Sequence, residues 1–162
     1  MKQPLEPMLS EEAIRTLLDR YECPTPYEII RTVFMGNIAS PVMGLSPVSA
    51  IKALWFGEFP EFESEDDANT LFSGLLSGVW NGLTIHQERK SPFQLSRRPV
   101  AVERSALASL AKMRRDEIAG FIDGLFGESE RVLFPAKGLE AMERLVEVLE
   151  MFEVSWLTLL DD

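Results

Sequence analysis

Residues 64–87 read SEDDANTLFSGLLSGVWNGLTIHQ, and this stretch decides the fold class. Ser64 is a typical helix N-cap, and the three carboxylates after it lie in the first turn, where the helix dipole favours negative charge. At about 100° per residue, apolar side chains fill half of the helix circumference. These side chains are Leu71, Phe72, Leu75, Leu76, Val79, Trp80 and Leu83. The opposite face has no charge, so we expect a central helix of an all-α bundle.

Small residues recur at every fourth position of this helix, and the same spacing occurs in one later segment and one earlier segment. They are Gly74, Gly78 and Gly82 here, Gly120 and Gly124 further on, and, more loosely, Gly36 and Ser40. Each glycine inside a helix costs about 1 kcal/mol relative to alanine, so something must offset that cost. Close approach of a neighbouring helix backbone is the natural offset. We predict that these helices cross at short distance; a cofactor cradle is the alternative.

Start and stop signals predict about six helices and a single domain spanning residues 1–162. The first four helices are predicted to begin after Ser10, at Thr25, at Ser46 and at Ser64. At the second of these starts, Thr25 is the predicted N-cap, Pro26 follows it and Glu28 completes a capping box. The fifth helix lies within 101–126, and the sixth runs from about Lys137 to Phe152. The glycine-rich helix covers about 65–87. Within the domain, 1–23 form an N-terminal helix, 26–126 the core and 137–160 a C-terminal helix and tail. The tail, Val154–Leu160, is predicted as a further turn or a docking segment.

Composition restricts the location and the class of the protein. Cys23 is the only cysteine of the 162 residues, so an intramolecular disulfide is excluded. The first residues have no apolar stretch of the secretory type, and we expect a cytoplasmic protein. Residues 32–51 and 68–87 have no formal charge, but prolines break the first stretch and many polar side chains occupy the second. We therefore predict no membrane span.

Charge is distributed unevenly along the chain. The net charge is −10, yet residues 89–115 contain eight basic residues and one acid and carry +7, leaving −17 for the rest. The candidate interaction surface in this segment consists of Arg89, Lys90, Arg97, Arg98, Arg104, Arg114 and Arg115. Arginine pairs suit phosphate or carboxylate groups of a partner. The alternative is pairing with the chain's own acidic residues or with a second subunit.

Catalytic and metal-binding patterns are weak. His86 is the sole histidine, and it falls in the apolar arc of its helix, as a packing residue would. Cys23 follows Glu22, which disfavours a thiolate. The acidic run 61–67 lacks the alternation of a calcium loop. We predict no catalytic, metal-binding or cofactor-binding residue and no cofactor.

Several segments together resemble one family. They are Phe34–Ser40 (FMGNIAS), Ser46–Gly57 (a Ser-Pro start and a Leu-Trp-Phe-Gly end), Phe59–Glu65 (FPEFESE) and Ile118–Leu125 (IAGFIDGL). In order and spacing they resemble the YecA/YgfB-like family of bacterial helical proteins over residues 26–126. Met35 and Ala50 stand where typical members have His and Trp, and the Cys-rich C-terminal metal motif of some members is absent. The resemblance implies a helical fold and supplies no catalytic residues.

The sequence thus favours a non-enzymatic helical interaction or regulatory module that binds a protein partner or self-associates. One alternative is a small enzyme that uses carboxylates in a helical pocket. Another is weak nucleic-acid binding through residues 89–115, which the negative net charge makes unlikely.

Overall fold

A computed structural model describes residues 9–161, and in this range the chain is all-α, as predicted. The helices are α1 (Glu11–Arg20), α2 (Tyr27–Ala39), α3 (Pro47–Ala53), α4 (Glu65–Leu75), α5 (Asn81–Leu83), α6 (Arg104–Phe126) and α7 (Ala136–Leu160). A π-helical turn, Leu76–Trp80, joins α4 to α5, and a 3-10 turn, Thr84–Gln87, follows α5. The segment 65–87 is therefore one continuous helical run, and six helical runs exist within the described residues.

Helix starts follow the predicted caps with one exception. The side chains of Ser10, Ser46 and Ser64 each accept a hydrogen bond from a backbone N–H in the first turn of α1, α3 and α4. Thr25 was predicted as the N-cap of α2, and this is wrong. Pro26 holds the cap position, while the Thr25 hydroxyl donates to the Leu54 carbonyl at 2.8 Å. That bond ties the start of α2 to the end of α3.

The last helix is longer than predicted. It continues from the expected end at Phe152 to Leu160, so the tail is helical. No glycine or proline interrupts residues 139–160, and the apolar tail side chains keep the helical spacing. Helix α6 is likewise uninterrupted over 23 residues.

The core lies between α1, α2, α3 and the run 65–87. Its least exposed side chains, each at 1% or less, include Ile14, Phe34, Ile51 and Leu71. Helix α6 packs across the outer side of α2, and α7 packs on α6. The order of layers is therefore the core, then α6, then α7.

Helices α2 and α6 touch backbone to backbone. A Cβ atom at Gly124 would clash with the Val33 carbonyl, and one at Gly36 would clash with the Phe121 carbonyl. At the end of the crossing, the Ser40 hydroxyl donates to the Leu125 carbonyl. In this close crossing, a glycine of each helix therefore makes room for the backbone of the other helix.

The other small residues have different surroundings. Gly120 lies against side chains of α2, with the Thr32 Oγ1 2.9 Å from the Cβ position. Gly74 and Gly78 face mainly side chains, with Leu17 beside Gly74 and Ile14 beside Gly78; the one backbone atom near them, the Leu9 carbonyl oxygen, is 3.7 Å from the Cβ position of Gly78. Gly82 has open space at its Cβ position, so close packing is wrong for this residue. Gly82 follows the π-helical turn and is exposed to solvent.

Substituting alanine at two glycines separates these roles. We expect Gly124→Ala to lower the free energy of unfolding by about 3 kcal/mol, because a backbone carbonyl cannot move aside as a side chain can. We expect Gly82→Ala to be neutral or to stabilise by up to about 1 kcal/mol. Urea unfolding of both variants measures the difference. Equal effects at the two positions would contradict the reciprocal contact.

Candidate functional site

Most of the basic side chains in the segment 89–115 make contacts within the same chain. Residues 89–103 contact α2 and α6 through Ser96 and Arg98, and residues 104–115 form the first half of α6. Of the seven predicted surface residues, four make ion pairs or side-chain hydrogen bonds within the chain: Arg98, Arg104, Arg114 and Arg115. No such contact is found for Arg89, Lys90 or Arg97 among residues 9–161.

Glu28 is the buried anchor of this segment. Its side chain is 6% exposed and accepts hydrogen bonds from Arg15, at 2.9 Å, and from Arg98. Burial alone would raise the pKa of Glu28. The hydrogen bonds from Arg15, from its own backbone N–H and from Arg98 outweigh burial and hold the pKa below the ordinary value. The contact fixes the extended segment 89–103 against the start of α2.

A second buried carboxylate lies on α6. Glu117 is 1% exposed and accepts a hydrogen bond from Arg114 at 2.6 Å, and Arg114 also donates to the Ser96 carbonyl. The Ser96 hydroxyl accepts from Arg31 of α2 at 2.9 Å. Here burial exceeds the effect of Arg114, and the pKa of Glu117 is raised. We call Glu28, Glu117 and their arginines the arginine clamp.

Two further arginines hold α7. Arg104 donates to the carbonyls of Leu159, at 2.8 Å, and Thr158, at 3.2 Å, both in the last turn of α7. Arg115 binds Asp116 at 2.8 Å and Glu153 at 3.4 Å. The last turns of α7 are thus fixed to the first half of α6.

Helix α7 nevertheless leaves much apolar surface in solvent. None of its 25 residues is fully buried. The exposed apolar side chains of its last ten residues form a patch, here named the α7 patch: Met151 (54% exposed), Val154 (62%), Leu157 (49%) and Leu160 (57%). The part of the helix before the patch exposes more acidic than basic side chains: Glu140, Glu143, Glu147 and Glu150 against Lys137 and Arg144.

A cleft lies between α2, α3 and α6. Its volume is about 670 Å³, and it is lined by carboxylates of Asp116, Asp123 and Glu128 and by the Lys52 chain among apolar and small residues. Asp116 is neutralised by Lys112 and Arg115. Asp123 is solvent-exposed at the rim of the cleft, and partial loss of hydration there raises the pKa of its carboxyl.

The single histidine and cysteine have structural contacts. His86 Nδ1 donates to the Ser91 carbonyl at 2.8 Å, and its ring packs edge-to-face on Phe93. Burial raises the pKa of the Cys23 thiol. Within the described part of the chain, no group of three His, Cys, Asp or Glu side chains is arranged to hold a metal ion.

Sequence reasoning missed the partners of the basic segment. Glu28 precedes Arg98 by 70 positions, and no periodicity links them. Glu28 was interpreted only as a capping residue, although a carboxylate beside the inward Ile29 and Ile30 is a signal for a buried ion pair. The lining of the cleft was also missed, because it depends on how α3 and α6 are placed around α2.

Comparison with known proteins adds no relative. No family model matches the chain, and neither a curated protein nor a solved structure is detectably similar to it. The YecA/YgfB-like resemblance therefore stays a prediction from the motifs. Between Leu9 and Asp161, no helix combines the length and apolar character needed to cross a membrane.

The arginine clamp predicts a pH-dependent stability. Because the pKa of folded Glu28 lies below the ordinary 4.5, its contribution is complete above that value and is lost as the pH falls through the folded pKa. We expect Glu28→Gln to lower the free energy of unfolding at pH 7 by about 1–3 kcal/mol. The difference from wild type should shrink in acid.

Glu11→Gln is the matched control, since Glu11 pairs with the same Arg15 but is exposed. We expect a cost below about 0.5 kcal/mol. Urea unfolding between neutral and acidic pH measures both variants. A Glu28→Gln deficit that does not change with pH would be inconsistent with the clamp.

Proposed function

We propose that the protein is a non-enzymatic helical interaction module that docks a protein partner on the α7 patch. The observation that carries the proposal is the exposure of four apolar side chains spaced three residues apart along the last turns of α7, each next to the following one: Met151, Val154, Leu157 and Leu160. Contiguous exposed apolar surface is uncommon on soluble monomers and is typical of interaction sites. Burying such a side chain stabilises a complex by about 1.5 kcal/mol or more.

The α7 patch is held in place before any partner arrives. Arg104 binds the last carbonyls of α7, and Arg115 binds Glu153 inside the same turns. Side chains of Lys112 and Arg115 also lie over the Trp156 ring, at 5.5 and 6.0 Å from its centroid. A fixed surface loses less conformational entropy on binding than a frayed helix end.

Charge indicates what kind of partner fits. The part of α7 before the patch exposes four glutamates and two basic residues. The glutamates are Glu140, Glu143, Glu147 and Glu150; Arg144 pairs with Glu140 at 2.7 Å, and Lys137 is the second basic residue, so the net charge is negative. A partner helix with an apolar face bordered by lysines or arginines complements both halves. The net charge of −10 opposes association with a second copy of this acidic chain.

The two alternatives have less support. Nucleic-acid binding through residues 89–115 would depend on Arg89, Lys90 and Arg97, since the other four basic residues hold the fold. Three phosphate contacts give little affinity at physiological salt. An enzyme using carboxylates would rely on the cleft, where Asp116 is already held in two ion pairs.

A synthetic amphipathic helix of leucine and lysine tests the α7 patch, with binding followed by fluorescence anisotropy of the labelled peptide. We expect Leu157→Asp to weaken binding about tenfold, because burial of one leucine is lost. Ile85→Asp, which changes an exposed apolar side chain outside α7, is the matched control and should bind as wild type does.

The sign of the change separates docking from general charge attraction. Both variants add one negative charge, so attraction alone would strengthen binding of the basic peptide in each. Tighter binding by Leu157→Asp would therefore overturn the proposal. Sedimentation velocity of wild type and Leu157→Asp covers the remaining case, because a dimer lost in the variant would make the occupant a second copy.

A further inference from the structure

The cleft between α2, α3 and α6 is separate from the α7 patch and takes no part in the proposed function. Its volume of about 670 Å³ falls among those of sites that enclose a small organic molecule. Ile29 and Val33 of α2, Ala53 of α3 and Ala119 of α6 supply apolar or small walls. The small residues of α3 and α6 leave the space that larger side chains would fill.

The charge of the cleft is negative and partly unbalanced. Asp123 and Glu128 lie at the solvent-exposed rim of the cleft and have no ion-pair partner among residues 9–161, whereas Asp116 has two. Lys52, the one basic residue of the lining, lies over the Phe59 ring, with its Nζ 6.0 Å from the centroid. A nearby cation stabilises the charged form of a carboxylate, and a cation with an apolar body can also contact the apolar walls.

A buried acceptor in the lining also lacks a donor. Asn37 is 9% exposed, and its Nδ2 donates to the Gly124 carbonyl at the long distance of 3.4 Å. Its Oδ1 is buried and has no hydrogen-bond partner in the described structure. Such an unpaired oxygen is costly, and an ammonium group would supply the missing donor after a small rotation of the amide.

Phe56 stands at the mouth of the cleft in an unfavourable backbone conformation. It lies three residues past the end of α3, with φ of 56°, and its side chain is 83% exposed. Glycine is the usual residue there, because a Cβ in the left-handed region costs about 1–2 kcal/mol. The same turn ends α1, where Glu22 has φ of 49° and does not line the cleft.

From these observations we propose that the cleft binds a small organic cation, a primary amine on an apolar body. Asp123 is its counter-ion, Asn37 Oδ1 accepts from the ammonium group, and Phe56 covers the apolar body from the mouth. This site is independent of the α7 patch, and either can fail without the other.

Three probes of one size test the proposal: 2-phenylethylamine, 2-phenylethanol and phenylacetate, each titrated into the full chain and followed by 1H–15N NMR. We expect the amine to bind about tenfold more tightly than the alcohol and the carboxylate to bind most weakly. The shifted resonances should belong to α3, α6 and Asn37. Asp123→Asn should remove the preference for the amine and leave the affinity for the alcohol unchanged.

The two left-handed residues give a matched pair of variants. Phe56→Gly and Glu22→Gly should both raise the melting temperature, because both relieve the same backbone strain. Only Phe56→Gly should weaken binding of the amine and of the alcohol, by about tenfold. Any of three results would overturn the proposal: no resonance shift in the cleft with any probe, no preference for the amine, or equal affinities in the two glycine variants.

Discussion

The backbone contact between α2 and α6 is the constraint on which the rest of the structure depends. Gly36 and Gly124 let each helix approach the carbonyls of the other, at the Val33 and Phe121 positions. The short distance fixes the direction of α6 across α2. The direction of α6 in turn fixes the positions of the Glu117 carboxylate, of the α6 residues that line the cleft and of the surface on which α7 packs.

Most of the basic residues in 89–115 form ion pairs or hydrogen bonds that hold the helices in this arrangement around the α2–α6 contact. The arginine clamp joins α2, α6 and the extended segment between Arg89 and Glu103, and Arg104 holds the end of α7. Buried ion pairs contribute little net stability, but leaving one carboxylate unpaired is costly, so they select one arrangement over others. Arg89, Lys90 and Arg97 take no part in these contacts within residues 9–161, and the exposed apolar side chains of α7 lie on the outer layer.

The local features of the fold could be predicted from the sequence, and the long-range ones could not. Ser10, Ser46 and Ser64 begin helices because a cap acts within four residues, and the apolar arc of residues 71–83 is a property of one helix. The glycine spacing predicted a close crossing, yet Gly82 has open space while Gly36 makes the backbone contact. The spacing of glycines along one helix identifies a groove on that helix, but it does not determine which other helix packs into the groove. The pairing of Glu28 with Arg98 and the cleft beside Asp123 depend on that choice.

Native-state hydrogen exchange tests the central claim most directly, namely that the α2–α6 contact holds the structure and carries α7 as an outer layer. The account predicts that amides of 33–39 and 118–125 exchange only through global unfolding. Amides of α7, which has no fully buried residue, should exchange through a smaller opening of lower free energy. Protection of α7 equal to that of α2, or weaker protection at the crossing than in α1, would contradict it.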